Sequence, residues 1–477
     1  MVFKGGVAIS GLMLMLVVPT GMITAQDVYG PPVPGDVAGA VVSLDPPAAV
    51  PDVLGATAWL AVHTYPSIRA AEATIQASGA EVRAAKWRRF PGVTVAARAG
   101  RDRNNVFSPE LRINQPLWTG GRITGGIARA EAVQDTAEAQ LGETVQDLTL
   151  QAVNAYYGVV AATRREEILK KSLQEHQRLV ESMARRVEQE VSPRSDLELA
   201  TSRTAQVRQQ LSLTIAQRYT NLQRLAELTG RTEFELGPVP EYSPSLHHPP
   251  TTAAVVQALA CDPTRRRLLA EADIAEAERK IAQGAILPRV GVQLSQDDDF
   301  GTRFGLIVSA QTEGGLSSLS AAEGARLRAQ ASDLQISVVE REIREQIVLD
   351  VVENTTSAGT IESSSVAALA TEQVTESFVR QFITGRRTWL DVMNAVREGT
   401  SAELTLVDAQ ITAMASAARL LLRTCEWRPD LMGADPAATG PATTGIAPAI
   451  VPAGLTPYQP AYQPVDPNAA NLEPVSE

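Results

Sequence analysis

The sequence predicts a mainly α fold with a transmembrane β-barrel. Three observations carry this: one unit is used twice, each unit holds a pair of alternating segments of barrel-strand length, and each then runs into helices too long for a globule. Composition agrees. Aromatic residues are only 4% of the 477, while Ala, Leu, Gln, Glu and Arg crowd the middle of the chain, the bias of long packed helices. The formal net charge of -11, with no stripe of Lys or Arg, excludes a nucleic-acid binder, which needs a basic face.

The chain divides at composition changes. Residues 1–25 read as a secretory signal peptide: Lys4 supplies charge, Gly5 to Val18 an apolar core, and Ile23-Thr24-Ala25 a small-residue exit. Pro19 stops that run short of the roughly 20 residues a membrane-spanning helix needs. Residues 26–55, with Pro31, Pro32, Pro34, Pro46, Pro47 and Pro51, read as a flexible linker. The first repeat is 56–230, a linker occupies 231–250, and the second repeat is 251–428. Residues 429–477 read as a disordered Pro/Ala-rich tail without Lys or Arg. After the signal no apolar stretch of roughly 18 residues remains, so any membrane crossing falls to a closed barrel.

Four landmarks establish the repeat. Pro66 matches Pro263 (263 − 66 = 197) and Pro91 matches Pro288 (288 − 91 = 197). Gly120-Gly121 matches Gly314-Gly315 (314 − 120 = 194), and Asp196 matches Asp391 (391 − 196 = 195). Each unit opens with a helix started by proline (66–89 and 263–287), followed by two alternating segments. In the first unit Val93, Val95, Ala97 and Ala99 face away from Thr94, Ala96, Arg98 and Gly100, and Leu111 and Ile113 oppose Glu110, Arg112 and Asn114. In the second, Val290, Val292 and Leu294 and then Phe304, Leu306, Val308 and Ala310 do the same. Two hairpins alone make a marginal sheet, so partners are required, and further copies of the chain are the simplest source. Trp87, Phe90 and Trp118 fall at one end of the first hairpin, where an interfacial aromatic belt and core packing are both open readings.

A heptad seam follows. From Leu141, alternate steps of four and three give Val145, Leu148, Ala152, Ala155, Val159, Ala162, Glu166, Leu169, Leu173, His176, Val180, Met183 and Val187, with only Glu166 and His176 polar. The 75 residues from Gly121 to Asp196 (196 − 121) would span roughly 110 Å as one helix. At the far end Ser192-Pro193-Arg194-Ser195-Asp196-Leu197-Glu198 reverses the chain, with Ser195 and Glu198 spaced as a capping box; Thr388 and Asp391 repeat that spacing in the second unit.

At these turns the residues resemble the TolC family of outer-membrane efflux and secretion channels. Gly385-Arg386-Arg387-Thr388-Trp389-Leu390-Asp391-Val392 resembles the family's Gly-x-Arg-Thr-x-x-Asp-Val turn, and Leu117-Trp118-Thr119-Gly120-Gly121 resembles its turn from strand to helix. The likeness covers roughly 56–428, and Glu190 stands where the family usually has glycine. It implies a homotrimer whose strands close one barrel in the cell outer membrane and whose helices form a tube in the periplasm. It also implies a periplasmic adaptor (membrane fusion protein) docking at tips formed by Ser192, Pro193, Arg194, Gly385 and Thr388, and an inner-membrane transporter. A periplasmic gate is expected where Arg386 and Arg387 face Ser195 and Asp196, with Asp391 beside them. Asp196 and Asp391 also fit a second role as first-turn carboxylates that stabilise helix N-termini. The stretches Ser377–Phe382 and Asn394–Glu398 resemble members serving type I secretion of adhesins, which points to an ABC-type transporter. Drug efflux is the alternative, and a periplasmic coiled-coil adaptor the alternative of another class; the doubled strand pairs speak against the adaptor.

Cys261 and Cys425, the only cysteines, are expected to pair in an oxidising compartment, because the family brings these two helix ends together. No enzyme, cofactor or metal site is expected. The histidines 63, 176, 247 and 248 lack metal-ligand spacing, His247-His248 is expected to be solvated, and no phosphate-binding glycine loop occurs.

Overall fold

The computed structural model describes residues 46–99, 107–232, 234–247, 251–297, 301–310 and 316–431. The signal, most of the lead-in, Gly314-Gly315, His248 and the tail beyond Leu431 lie outside the described residues.

Each repeat follows one order. In the first, α1 (Asp52–Thr64) and α2 (Pro66–Trp87) lead to β1 (Gly92–Ala99) and β2 (Phe107–Trp118), then α3 (Arg122–Glu188) and α4 (Arg194–Thr229). In the second, α5 (Thr251–Cys261) and α6 (Pro263–Ile286) lead to β3 (Arg289–Asp297) and β4 (Gly301–Ser309), then α7 (Ser317–Ile383) and α8 (Trp389–Arg423). Pro66 and Pro263 each stand at the first turn of their helix, where a missing N–H costs nothing. The long helices α3 and α7 have 67 residues each, roughly 100 Å, somewhat under the length the sequence implies because the turns take up several residues. Each packs on two shorter helices that divide its length between them: α3 on α2 and α4, α7 on α6 and α8. The two units join where α3 also packs on α6 and α8.

The four strands form one antiparallel sheet in the order β1-β2-β3-β4, and its register sorts residues by polarity. One face carries the row Val93, Ile113, Leu294, Phe304 and, two residues on, the row Gln115, Val292, Leu306. The other carries Thr94, Arg112, Ser295, Arg303 and, one step on, Asn114, Gln293 and Gly305. Glu110 and Arg112 form an ion pair on that polar face. On the apolar face Val95 is 77% and Phe304 76% exposed, so nothing in the single chain covers it. Among the described residues no helix is long and apolar enough to cross a membrane.

Where the two repeats meet below the sheet, the turn Gly120-Gly121 lies against the end of α6. A Cβ on Gly284 would sit 2.4 Å from the Gly120 carbonyl oxygen, so glycine is the residue that fits. Farther along, the α3 seam packs inward. Leu148, Ala152, Ala155, Val159, Ala162, Leu169 and Met183 are all buried, and the two polar members are accounted for. Glu166 forms ion pairs with Lys170 at 2.7 Å and Arg218 at 2.8 Å, and His176 Nδ1 lies 2.8 Å from the Ser172 carbonyl.

The main core lies midway along the helices, with Leu54, Val153, Tyr156, Val160, Leu225, Met414 and Trp427 at its centre. Beside it the Sγ atoms of Cys261 and Cys425 are bonded, with the Cα atoms 6.4 Å apart. Two expectations, on the segment before Asp52 and on His247, need correction. The flexible linker 26–55 ends sooner than composition implies, because α1 starts at Asp52 and seats Leu54 fully in the core. The linker 231–250 is coil and turns over its described part, and Phe234, Leu236, Val239 and Tyr242 pack on that core. His247 is 5% exposed rather than solvated: it stacks on Tyr242, its carbonyl accepts from Asn354 Nδ2 at 2.9 Å, and burial lowers its pKa.

Candidate functional site

The candidate site is the end of the helical part farthest from the sheet, where the α3/α4 and α7/α8 turns come together. Both turns are closed by the same backbone bonds. Val191 N–H donates to the Arg186 carbonyl, and 195 residues later (386 − 191) Arg386 N–H donates to the Gln381 carbonyl, each at 2.9 Å. Such a six-to-one bond needs a residue in the left-handed region just before it. In the second turn Gly385 takes it at φ 75°; in the first it is Glu190, at φ 58°. A glutamate there accepts a strain that glycine avoids.

The restarts differ. Thr388 caps α8: its hydroxyl accepts from Asp391 N–H at 3.2 Å while the Asp391 carboxylate accepts from Thr388 N–H at 3.2 Å. The Thr388 side chain, its backbone N–H and Arg387 together hold the Asp391 carboxyl below its ordinary pKa. The expected Ser195/Glu198 box does not form. The N-cap of α4 is Pro193, which has no side-chain acceptor, so Ser195 falls inside the first turn and Glu198 reaches Arg194 at 3.8 Å instead.

Of the expected gate residues, the single chain brings Asp196 and the second turn together, through a partner the sequence did not single out. Trp389 Nε1 donates to Asp196 Oδ2 at 2.8 Å, tying the two turns. Arg387 turns onto its own hairpin: its guanidinium lies 4.2 Å over the Phe378 ring, Nε donates to Gln381 at 3.3 Å, and Nη1 stands 3.9 Å from Asp391. Arg386, Ser195, Pro193 and Arg194 are exposed, with Ser192 half-buried beside them. Beneath the tip Met183, Ala200, Phe382, Val392, Met393 and Val396 form a small core common to both hairpins. Trp389 was legible only as an aromatic in a turn; its bond joins residues 193 positions apart.

Above the tip, polar stitches hold α3 to α8. Thr400 Oγ1 donates to Ser172 Oγ at 2.9 Å, Lys171 reaches Glu403 at 3.1 Å, and Arg165 reaches Asp408 at 2.6 Å. The hydrogen bond to Glu403 raises the Lys171 pKa, and burial lowers that of His176. Among the described residues no group of His, Cys, Asp and Glu has the makings of a metal site.

Residues 60–231 match the family described as outer membrane efflux protein. No curated protein sequence matches the chain. The fold is similar to solved outer-membrane proteins. VceC of Vibrio cholerae is 17% identical with a TM-score of 0.68, covering 78% of this chain and 95% of its own. The CmeC outer membrane channel of Campylobacter jejuni is 12% identical with a TM-score of 0.67, over 83% and 94%. The MtrE outer membrane channel of Neisseria gonorrhoeae, solved in its open state, is 14% identical with a TM-score of 0.64, over 82% and 93%. At these identities the likeness is one of fold.

Proposed function

We propose that the chain, whose residues 60–231 match the outer membrane efflux protein family, is the outer-membrane exit duct of a tripartite export system. It works as a homotrimer: the strands close into one barrel in the outer membrane and the long helices form a tube in the periplasm. The observation that carries this reading is the register of the sheet. Four strands with one apolar and one polar face, both uncovered in the single chain, make a segment of barrel wall that turns its apolar side to lipid and its polar side to water. Closure removes the two free edges, β1 and β4, which a lone sheet leaves exposed.

The duct itself is passive. A periplasmic adaptor docks on the tip residues Ser192, Pro193, Arg194, Gly385 and Thr388, of which all but the half-buried Ser192 are exposed, and an inner-membrane transporter supplies the energy. Arg387 and Asp196 act at the gate, the one beside its own hairpin and the other fixed by Trp389. The likeness of Ser377–Phe382 and Asn394–Glu398 to adhesin-exporting channels favours type I secretion with an ABC transporter. The family's description as efflux proteins favours the second reading, small-molecule efflux. A strain lacking the chain separates the two: loss of a large surface protein from the medium with unchanged drug tolerance supports secretion, and the reverse supports efflux. Recovery of the protein in the soluble periplasm rather than in outer-membrane fractions would reject both.

A further inference from the structure

We propose that the turn from α2 into β1 is a binding site for the headgroup of an anionic phospholipid, one site per protomer. This rests on the reading of the sheet as membrane-spanning. The segment Lys86-Trp87-Arg88-Arg89-Phe90 packs three cations and two aromatic rings into five residues. Trp87 is 68% and Phe90 58% exposed, and their rings lie 5.0 Å apart, so they are no part of the core. They sit at the lower edge of the apolar face, where Gln115 of β2 donates from Nε2 to the Arg89 carbonyl at 3.0 Å. Trp118, 46% exposed, ends the neighbouring strand at the same level. Tryptophan beside an apolar band marks the interface between hydrocarbon and headgroups.

Of the three cations, Lys86 and Arg88 reach toward α3. Lys86 is occupied by Glu131 at 2.9 Å. Arg88 and Arg89 are exposed, and among the described residues neither has a carboxylate partner. The Arg88 guanidinium passes near Gly126 of α3, so it stays against the molecule. Two unpaired guanidiniums in the same turn as two exposed rings suit a phosphodiester, which accepts from Arg in a forked pair, with the acyl chains continuing up the apolar face.

The second repeat shows that the fold does not ask for this cluster. At the same offset of 197, the turn from α6 into β3 is Gln283-Gly284-Ala285-Ile286-Leu287, with no charge and no ring, and it is followed by Pro288 as the first is by Pro91. Both turns join a helix of similar length to a strand of the same sheet. Gly284, which matches Trp87, is packed against Gly120 with no room for a side chain, whereas the first turn is exposed; the turn itself does not demand the charge and the rings of the first, which are free to meet something outside the chain.

Tryptophan quenching tests the site. Full-length protein is reconstituted into phosphatidylcholine vesicles carrying either brominated phosphatidylglycerol or brominated phosphatidylcholine, and the Trp87 share is taken by difference from Trp87→Phe. The brominated phosphatidylglycerol should quench Trp87 preferentially, and Arg88→Gln with Arg89→Gln should weaken that preference roughly fivefold per arginine. High salt should weaken it in the parent protein. Equal quenching by the two lipids, or a preference kept by the double variant, overturns the site. Flotation of every sample with the vesicles is the separate control: protein that does not float overturns the membrane reading itself.

Discussion

At the scale of single residues, the tip turns show what a backbone conformation demands and what this chain supplies. Glu190 holds at φ 58° the position that Gly385 holds at φ 75°. Glu190→Gly is expected to stabilise the first turn by about 1 kcal/mol, the usual cost of a left-handed non-glycine residue. Hydrogen exchange of the Val191 amide, which closes that turn, should slow by about fivefold; unchanged exchange would show that the strain is relieved elsewhere. The bond from Trp389 to Asp196 makes a sharper claim. If it ties the tips as a gate, Trp389→Phe, which keeps the ring in its small core but deletes the donor, should raise single-channel conductance in planar bilayers. Arg387→Ser should do the same by releasing Phe378 and Gln381. Conductance unchanged in both variants would leave these residues as caps and packing alone.

At the scale of elements, the order of short helix, strand pair and long helices in each unit was legible because proline, alternation and the heptad seam write it into local spacing. Pro66 and Pro263 start helices where the sequence puts them, and the seam from Leu141 to Val187 runs along the buried side of α3. What stayed hidden depends on distant partners. The first turn of α1 follows Pro51 in a proline-rich stretch, and only burial of Leu54 among residues of α3, α4 and α8 explains why it is helix. His247 reads as solvated until Asn354 and Tyr242 close on it. Burial lowers the pKa of both His176 and His247, so the unfolded chain binds more protons than the folded one as pH falls below about 6.5. Their contribution to stability is therefore complete above that pH and is lost on acidification. Chemical denaturation between pH 5 and 7 should show stability rising with pH, and His176→Gln with His247→Gln should flatten that slope; a slope untouched by the pair would assign it to carboxylates.

At the scale of the whole molecule, the sheet register makes neighbouring residues behave oppositely. Leu294 lies on the apolar face and Gln293 on the polar one. Leu294→Arg should lower recovery from the outer membrane, since an arginine on the lipid face costs roughly 2–4 kcal/mol near mid-bilayer, while Gln293→Arg should insert normally. Equal behaviour would mean the sheet does not separate lipid from water. The Cys261–Cys425 bond operates on the same scale. It closes a loop of 164 residues, worth about 5 kcal/mol in the chain-entropy account, and thiol labelling of the unreduced, denatured protein should find no free cysteine until reductant is added. The bond also alters how the chain carries load. Tension applied at its two ends passes from Cys261 to Cys425 across 6.4 Å and bypasses α6, β3, β4, α7 and α8 altogether, so those elements form a tether-free ring while the first repeat takes the pull. A single nick within α7 would leave both pieces travelling together on a non-reducing gel, and a nick within α3 would let them part.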